Sequence, residues 1–180
     1  QPKQNFIALP EVSSERRKFV PIGFLVSEIV PSNKIQTIPN GTLFQFGILN
    51  STMHNAWMRY TCGRLESRYN YSNTIVYNNY PWPGFAGEPL SDKHHNAIEQ
   101  AAQCVIDARA QFADASLADL YDPLTMPPAL LKAHQKLDTA VAAAYKPSGG
   151  RKNLRHQRRT HRHPLRSVPT HHQLVNGERS

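Results

Sequence analysis

Near residue 90 the apolar pattern of this chain changes its period, and that change constrains the fold more than any other feature. Beyond it, Ile98, Ala102, Val105, Arg109 and Phe112 recur at helical spacing, as do Leu130, His134, Leu137, Val141 and Ala144. The first series predicts a helix over about 92–113, capped by Asp92. Ser116 caps a short turn, LADLY, which Asp122-Pro123 ends. Pro127-Pro128 then opens a second helix that runs to about residue 145. Two antiparallel helices with a proline-rich connection make an αα-hairpin.

Before the change, the apolar residues come in short runs: 6–10, 19–26, 35–39, 42–49 and 74–80. Turn formers separate them, so each reads as a strand. Asn40-Gly41 between two runs is a hairpin signal. One helix interrupts them. Asn50 or Ser51 caps it, Met53, Trp57 and Tyr60 lie along one face, and Gly63 closes it. Arg59 falls on a different face. The expected fold class is therefore α+β, a β-rich unit (1–83) followed by a helical hairpin (84–145) and a basic tail (146–180).

The charge belongs to the tail. Residues 1–145 hold 12 Lys/Arg and 12 Asp/Glu, whereas 146–180 hold 9 Lys/Arg and one Glu. The tail has no periodicity and few apolar side chains, so it is expected to be disordered. A nucleic-acid argument for the folded part must rest on local arrangement. Two cysteines, Cys62 and Cys104, build no disulfide framework and read as buried thiols. No run of 18 apolar residues crosses a membrane, and no signal peptide opens the chain. Asn40, Asn50 and Asn70 begin N-x-S/T triplets, which keeps a secreted glycoprotein as a third reading, but a cytoplasmic protein is expected. A start at Gln1 rather than methionine suggests a piece of a longer polypeptide.

Most constellations have a bland explanation. His94-His95, His161-x-His163 and His171-His172 lack ligands beside them at metal-site spacing. His54 and His134 stand alone on helices and are expected to be structural. Asn79-Tyr80-Pro81-Trp82 approaches the Asn-Pro-Pro-aromatic turn of amino-methyltransferases, yet has one proline inside and no glycine-rich cofactor turn to accompany it. It is expected to be a rigid aromatic strand exit, with Trp82 on the core.

GRLESRYNYS (63–72) is different. Glu66 and Arg68 are two apart, so on an extended backbone they share a face. A carboxylate accepts a hydrogen bond from cytosine N4, and an arginine donates two to guanine O6 and N7. Side by side they suit one C·G pair. Arg59, Arg64, Tyr69 and Tyr71 are candidates to hold phosphates, fixing register without reading sequence. The competing explanation is a solvated ion pair that contributes little.

STMHNAWMRYTCGRLESRYNYSNTIVYNNYPWP (51–83) resembles the target-recognition domain of MmeI-like type IIL restriction–modification enzymes and their bacterial methyltransferase relatives. FIALPEVSSERRKFVPIGFL (6–25) is similar to the start of that domain. Residues 108–145, with SLADLYDPLTMPP, resemble the family's C-terminal helical segment. The resemblance implies a recognition module for double-stranded DNA, with Glu66 and Arg68 near the base-choosing segment. It implies a parent that methylates adenine N6 with S-adenosylmethionine through a methyltransferase domain on the same polypeptide, in the bacterial cytoplasm. That domain's catalytic tetrad and cofactor motif lie upstream of the matched region. This chain is thus expected to hold no cofactor and to be inactive alone. After AAAY, where relatives continue into another helix, residues 154–171 read like a frameshift product. The alternative function is a basic-tailed RNA- or ribosome-associated protein whose aromatics stack single-stranded bases.

Overall fold

The computed structural model describes residues 4–84 and 89–146. All of these lie in one unit, Gln1–Lys146. The expected disordered tail and the frameshift reading fall outside the described residues.

Two three-stranded antiparallel sheets form from the first half. The first has the order β3-β1-β4, with β1 (Phe6–Pro10) between β3 (Gly23–Leu25) and β4 (Ile35–Pro39). Phe6, Ile7 and Leu9 of β1 are buried, which is why this central strand reads as an unbroken apolar run. The second sheet has the order β2-β6-β5, from Val12–Ser13, Arg68–Asn70 and Gly63–Leu65. Glu11 stitches the two together. Its N–H donates to the Lys34 carbonyl (2.9 Å), and its carbonyl accepts from the Tyr71 N–H (2.7 Å). Only three residues of the run 19–26 pair as a strand. Pro21 has no N–H to give a ladder.

Two expected strands are helical instead. Residues 42–49 form α1 (Leu43–Leu49). Thr42 accepts from the Gln45 N–H (3.2 Å), while Gln45 Oε1 accepts from the Thr42 N–H (2.9 Å). This reciprocal cap fixes the first turn. Asn40 (φ 54°) therefore turns the chain from β4 into α1 and makes no hairpin; asparagine tolerates this left-handed backbone better than most residues. The β-branched run at 73–77 winds into a π-turn, Asn73–Tyr77. Side chains satisfy its carbonyls: Trp57 Nε1 donates to Val76 O (2.9 Å), and Asn79 Nδ2 donates to Thr74 O (2.7 Å) and Ile75 O (3.1 Å). Trp82 packs on the core as expected, but it follows this turn rather than a strand. It meets Tyr77 and Tyr80 edge-on at 5.4 and 5.5 Å.

Helix α2 (Thr52–Thr61) starts at the Ser51 cap. Its buried face is His54, Asn55 and Met58. The face expected to be apolar is mostly outside, since Met53 is exposed and Tyr60 is 91% exposed. Asp138 accepts the Thr52 N–H at 2.7 Å, satisfying one of the helix's free donors across 86 residues of sequence.

The helical half follows its expected period. α3 (Asp92–Ala110), α4 (Leu117–Leu120) and α5 (Pro128–Ala144) appear in order. Ser91, one residue before Asp92, is the α3 cap. Ile98, Ala102, Val105, Leu130, Leu137 and Val141 are fully buried. Cys104 lies on the exposed side of α3 and Cys62 is half-buried, which corrects the expectation of two buried thiols.

The expected boundary at residues 83/84 is crossed by a shared core. At Gly47 of α1, a Cβ would come within 2.9 Å of Ile98 Cγ2, 3.2 Å of Ala102 Cβ and 3.3 Å of Leu137 Cδ1. Gly47→Leu is expected to destabilise the fold by ~1–3 kcal/mol through overpacking. A lower urea midpoint at unchanged slope is the expected readout.

Arg109 ties the halves together. It donates to the Ile22 carbonyl (2.7 Å), to Asn50 Oδ1 (3.2 Å) and, through two nitrogens, to the Tyr121 hydroxyl. The Tyr121 oxygen accepts from Arg109, so its own proton points to His134 Nε2 at 2.7 Å. His134 is therefore the neutral Nδ1–H tautomer. Its ring stacks on Phe19 at 4.0 Å. Burial and then the Arg109 charge hold its pKa down at about 3.

Candidate nucleic-acid interface

The segment 63–72 folds into a β-hairpin. Gly63, Arg64 and Leu65 of β5 pair with Asn70, Tyr69 and Arg68 of β6. Glu66 and Ser67 form the tip, and Glu66 has φ 57°, in the left-handed region that favours glycine. Glu66 is thus not on an extended strand. The turn, rather than strand alternation, brings it to Arg68. Glu66 Oε2 lies 3.0 Å from Arg68 Nη2, with the two side chains 78% and 48% exposed. In that setting the pair contributes at most about 1 kcal/mol, so it opens cheaply to other partners.

One residue further on, strand alternation turns Tyr69 inward. It is buried, and its ring is a seat for two cations. The Arg64 guanidinium lies 4.1 Å from the ring centre and the Arg59 guanidinium 5.6 Å. Such contacts hold charge in place while leaving its donors free outward. Arg59 also donates to the Arg17 carbonyl (2.9 Å). Arg64 donates to the Ser67 carbonyl (3.2 Å) and reaches Glu15 at 3.4 Å.

Tyr71 departs from its expected phosphate role. It is 3% exposed, and its hydroxyl meets His54 Nε2 at 3.2 Å inside the core. Burial raises its pKa above the ordinary range. A phenol held this way is packing, not a surface donor. Burial lowers His54 to about 4, so it is neutral at pH 7.

Arg59 and Arg64 also line an open cleft of about 520 Å³, together with Lys18, Thr52, Asn55, Ala56 and Tyr60. Lys18 and Tyr60 were not singled out by the sequence. Tyr60 shares a face with Met53 and Trp57 in the sequence pattern, whereas the structure sets it in the cleft beside Arg59. Among the described residues, no three His, Cys, Asp or Glu side chains converge as a metal site. No described helix is long and apolar enough to cross a membrane.

The α+β scaffold thus presents a charged hairpin beside a cation-lined cleft. The family described as "MmeI, target recognition domain" matches residues 1–84, and "MmeI, C-terminal domain" matches residues 90–159. The chain belongs to the MmeI family through these two domains. It is 39% identical over 140 residues to DNA methyltransferase A of Bacillus subtilis (strain 168), covering 78% of this chain and 15% of that protein. A solved structure of the type IIL restriction–modification enzyme MmeI in complex with DNA aligns with a TM-score of 0.76 at 48% identity. That alignment covers 83% of this chain and 20% of the solved one. The chain thus spans a fifth or less of the length of these two relatives.

Proposed function

We propose that this chain is the duplex-DNA recognition part of a bacterial, cytoplasmic restriction–modification methyltransferase. The observation that carries the reading is the exposed Glu66–Arg68 pair on a left-handed hairpin tip, within a matched target recognition domain. The major groove admits a two-stranded β-ribbon. There the ion pair separates: Glu66 accepts from cytosine N4, and Arg68 donates to guanine O6 and N7. Arg59 and Arg64, seated on Tyr69, hold phosphates and set register.

Methyl transfer to adenine N6 belongs, in this reading, to a methyltransferase domain on the same polypeptide beyond this chain. S-adenosylmethionine does not fit the described residues. Their glycines are scattered at 23, 41, 47, 63 and 84, and none forms the glycine-rich strand-to-helix turn that cradles a nucleoside cofactor. The chain alone is expected not to methylate DNA. Methylation by the purified 180-residue protein would refute this.

The hairpin reading is tested by exchanging its charges, Glu66→Lys with Arg68→Asp. Duplexes selected from a randomised library by the wild-type chain and by the variant are then sequenced. The expected result is a changed preference at one base pair, by roughly 10- to 100-fold, as one bidentate contact provides. An unchanged preference removes these residues from base reading.

A further inference from the structure

We propose that the outer face of α2 holds the phosphodiester backbone of one DNA strand, with Lys18 and Tyr60 as contact residues beside Arg59 and Arg64. The proposal rests on the DNA-recognition reading and adds a second, sequence-blind surface to the hairpin. Thr52, Asn55, Ala56, Arg59 and Tyr60 line the cleft. Their spacing of three, four, seven and eight residues is one continuous helical stripe, about 12 Å long. Lys18 and Arg64 line the same cleft, so three cations border it and no carboxylate does.

The nearby acids are engaged. Glu15 reaches Arg64 at 3.4 Å, in a half-exposed pair that a phosphate can displace. Asp138 accepts the Thr52 N–H. Tyr60 is 91% exposed, so its ring contributes almost nothing to the fold and its hydroxyl is open to a phosphate oxygen. Ala56, small and central in the stripe, lets a strand approach the helix. A neutral ligand has no need of three cations, whereas a phosphodiester strand does.

The test uses the 180-residue chain and a fluorescent duplex, with affinity measured across salt concentrations. The tail's nine Lys/Arg are the same in every variant and cancel from the differences. Lys18→Gln is expected to lower the salt slope by about 0.9, equally for all duplex sequences. Tyr60→Phe is expected to weaken binding by at least roughly 10-fold, the worth of one hydrogen bond to a charged group. Base preference stays as in wild type for both, which separates this surface from the hairpin.

Wild-type slope and affinity in both variants would overturn the proposal and leave the hairpin reading standing. A lowered slope in Lys18→Gln, with no change of preference in the Glu66/Arg68 exchange, would support the cleft and sink the hairpin. Undetectable duplex binding at low salt would overturn both. Single-stranded RNA bound more tightly than duplex DNA would overturn the choice of ligand.

Discussion

Arg109→Ala is expected to remove about 2–5 kcal/mol of stability, because the buried acceptors it satisfies would each be left without a donor at about 1–3 kcal/mol. The side chain bonds three groups that are distant in sequence: Ile22 near the first sheet, Asn50 between two helices, and Tyr121 after α4. Asn50 is fully buried, so its Oδ1 would lose this partner without gaining water. The Tyr121 hydroxyl would lose its donor, and its bond to His134 would lose its direction. Arg109→Lys is expected to restore only part of the loss, because a single ammonium cannot fork to three acceptors. Its guanidinium also faces the Phe46 and Tyr121 rings, at 5.2 and 4.9 Å. Urea unfolding measures both variants. A loss under about 1 kcal/mol for alanine would contradict the network's role.

Acid is expected to destabilise the fold well before the carboxylates titrate. His54 and His134 have pKa values of about 4 and about 3, each lowered chiefly by burial. The unfolded chain protonates both near 6.5, while the folded chain resists. Their neutral packing therefore gives its full stability above about pH 6.5, and that stability is lost as pH falls toward 4 and 3. The unfolded state binds up to two more protons in this window, a slope approaching 2.7 kcal/mol per pH unit. Between pH 7 and pH 5 the loss is about 3–4 kcal/mol. Asp138 acts in the opposite sense. Partial burial raises its carboxyl, and it favours the fold as pH falls, but it is half-exposed and its contribution is screened. Urea unfolding at pH 7 and pH 5 is the check, with His134→Gln expected to halve the slope. Equal stability at both pH values would show that the histidines do not carry it.

The helical half was legible because its apolar residues have nowhere to hide. Ile98, Ala102 and Val105, then Leu130, Leu137 and Val141, keep one period and are all buried. The first half was harder. A short helix buried along most of its length, such as α1, reads as the same apolar run as a central strand such as β1. The Thr42–Gln45 cap is the local signal that separates them. The π-turn was illegible in principle, since it depends on Trp57 and Asn79 meeting its carbonyls. At the site, the Glu66–Arg68 pairing was foreseen, but its cause was not: the left-handed Glu66 brings them together, not a shared strand face. Tyr71 was not legible, because composition does not distinguish an aromatic at a surface from one that bonds a buried histidine.

The alternation of the β5–β6 hairpin separates two kinds of position. Tyr69 faces inward with the Arg64 guanidinium seated on its ring, while Arg68 faces solvent and Glu66 sits on the turn. Exposed substitutions away from special contacts usually shift stability by no more than about 0.5 kcal/mol. The outer positions are therefore nearly free of the constraints that fix the inner ones. Lineages of such chains are able to explore new chemistry at the tip while inheriting the same foundation beneath it.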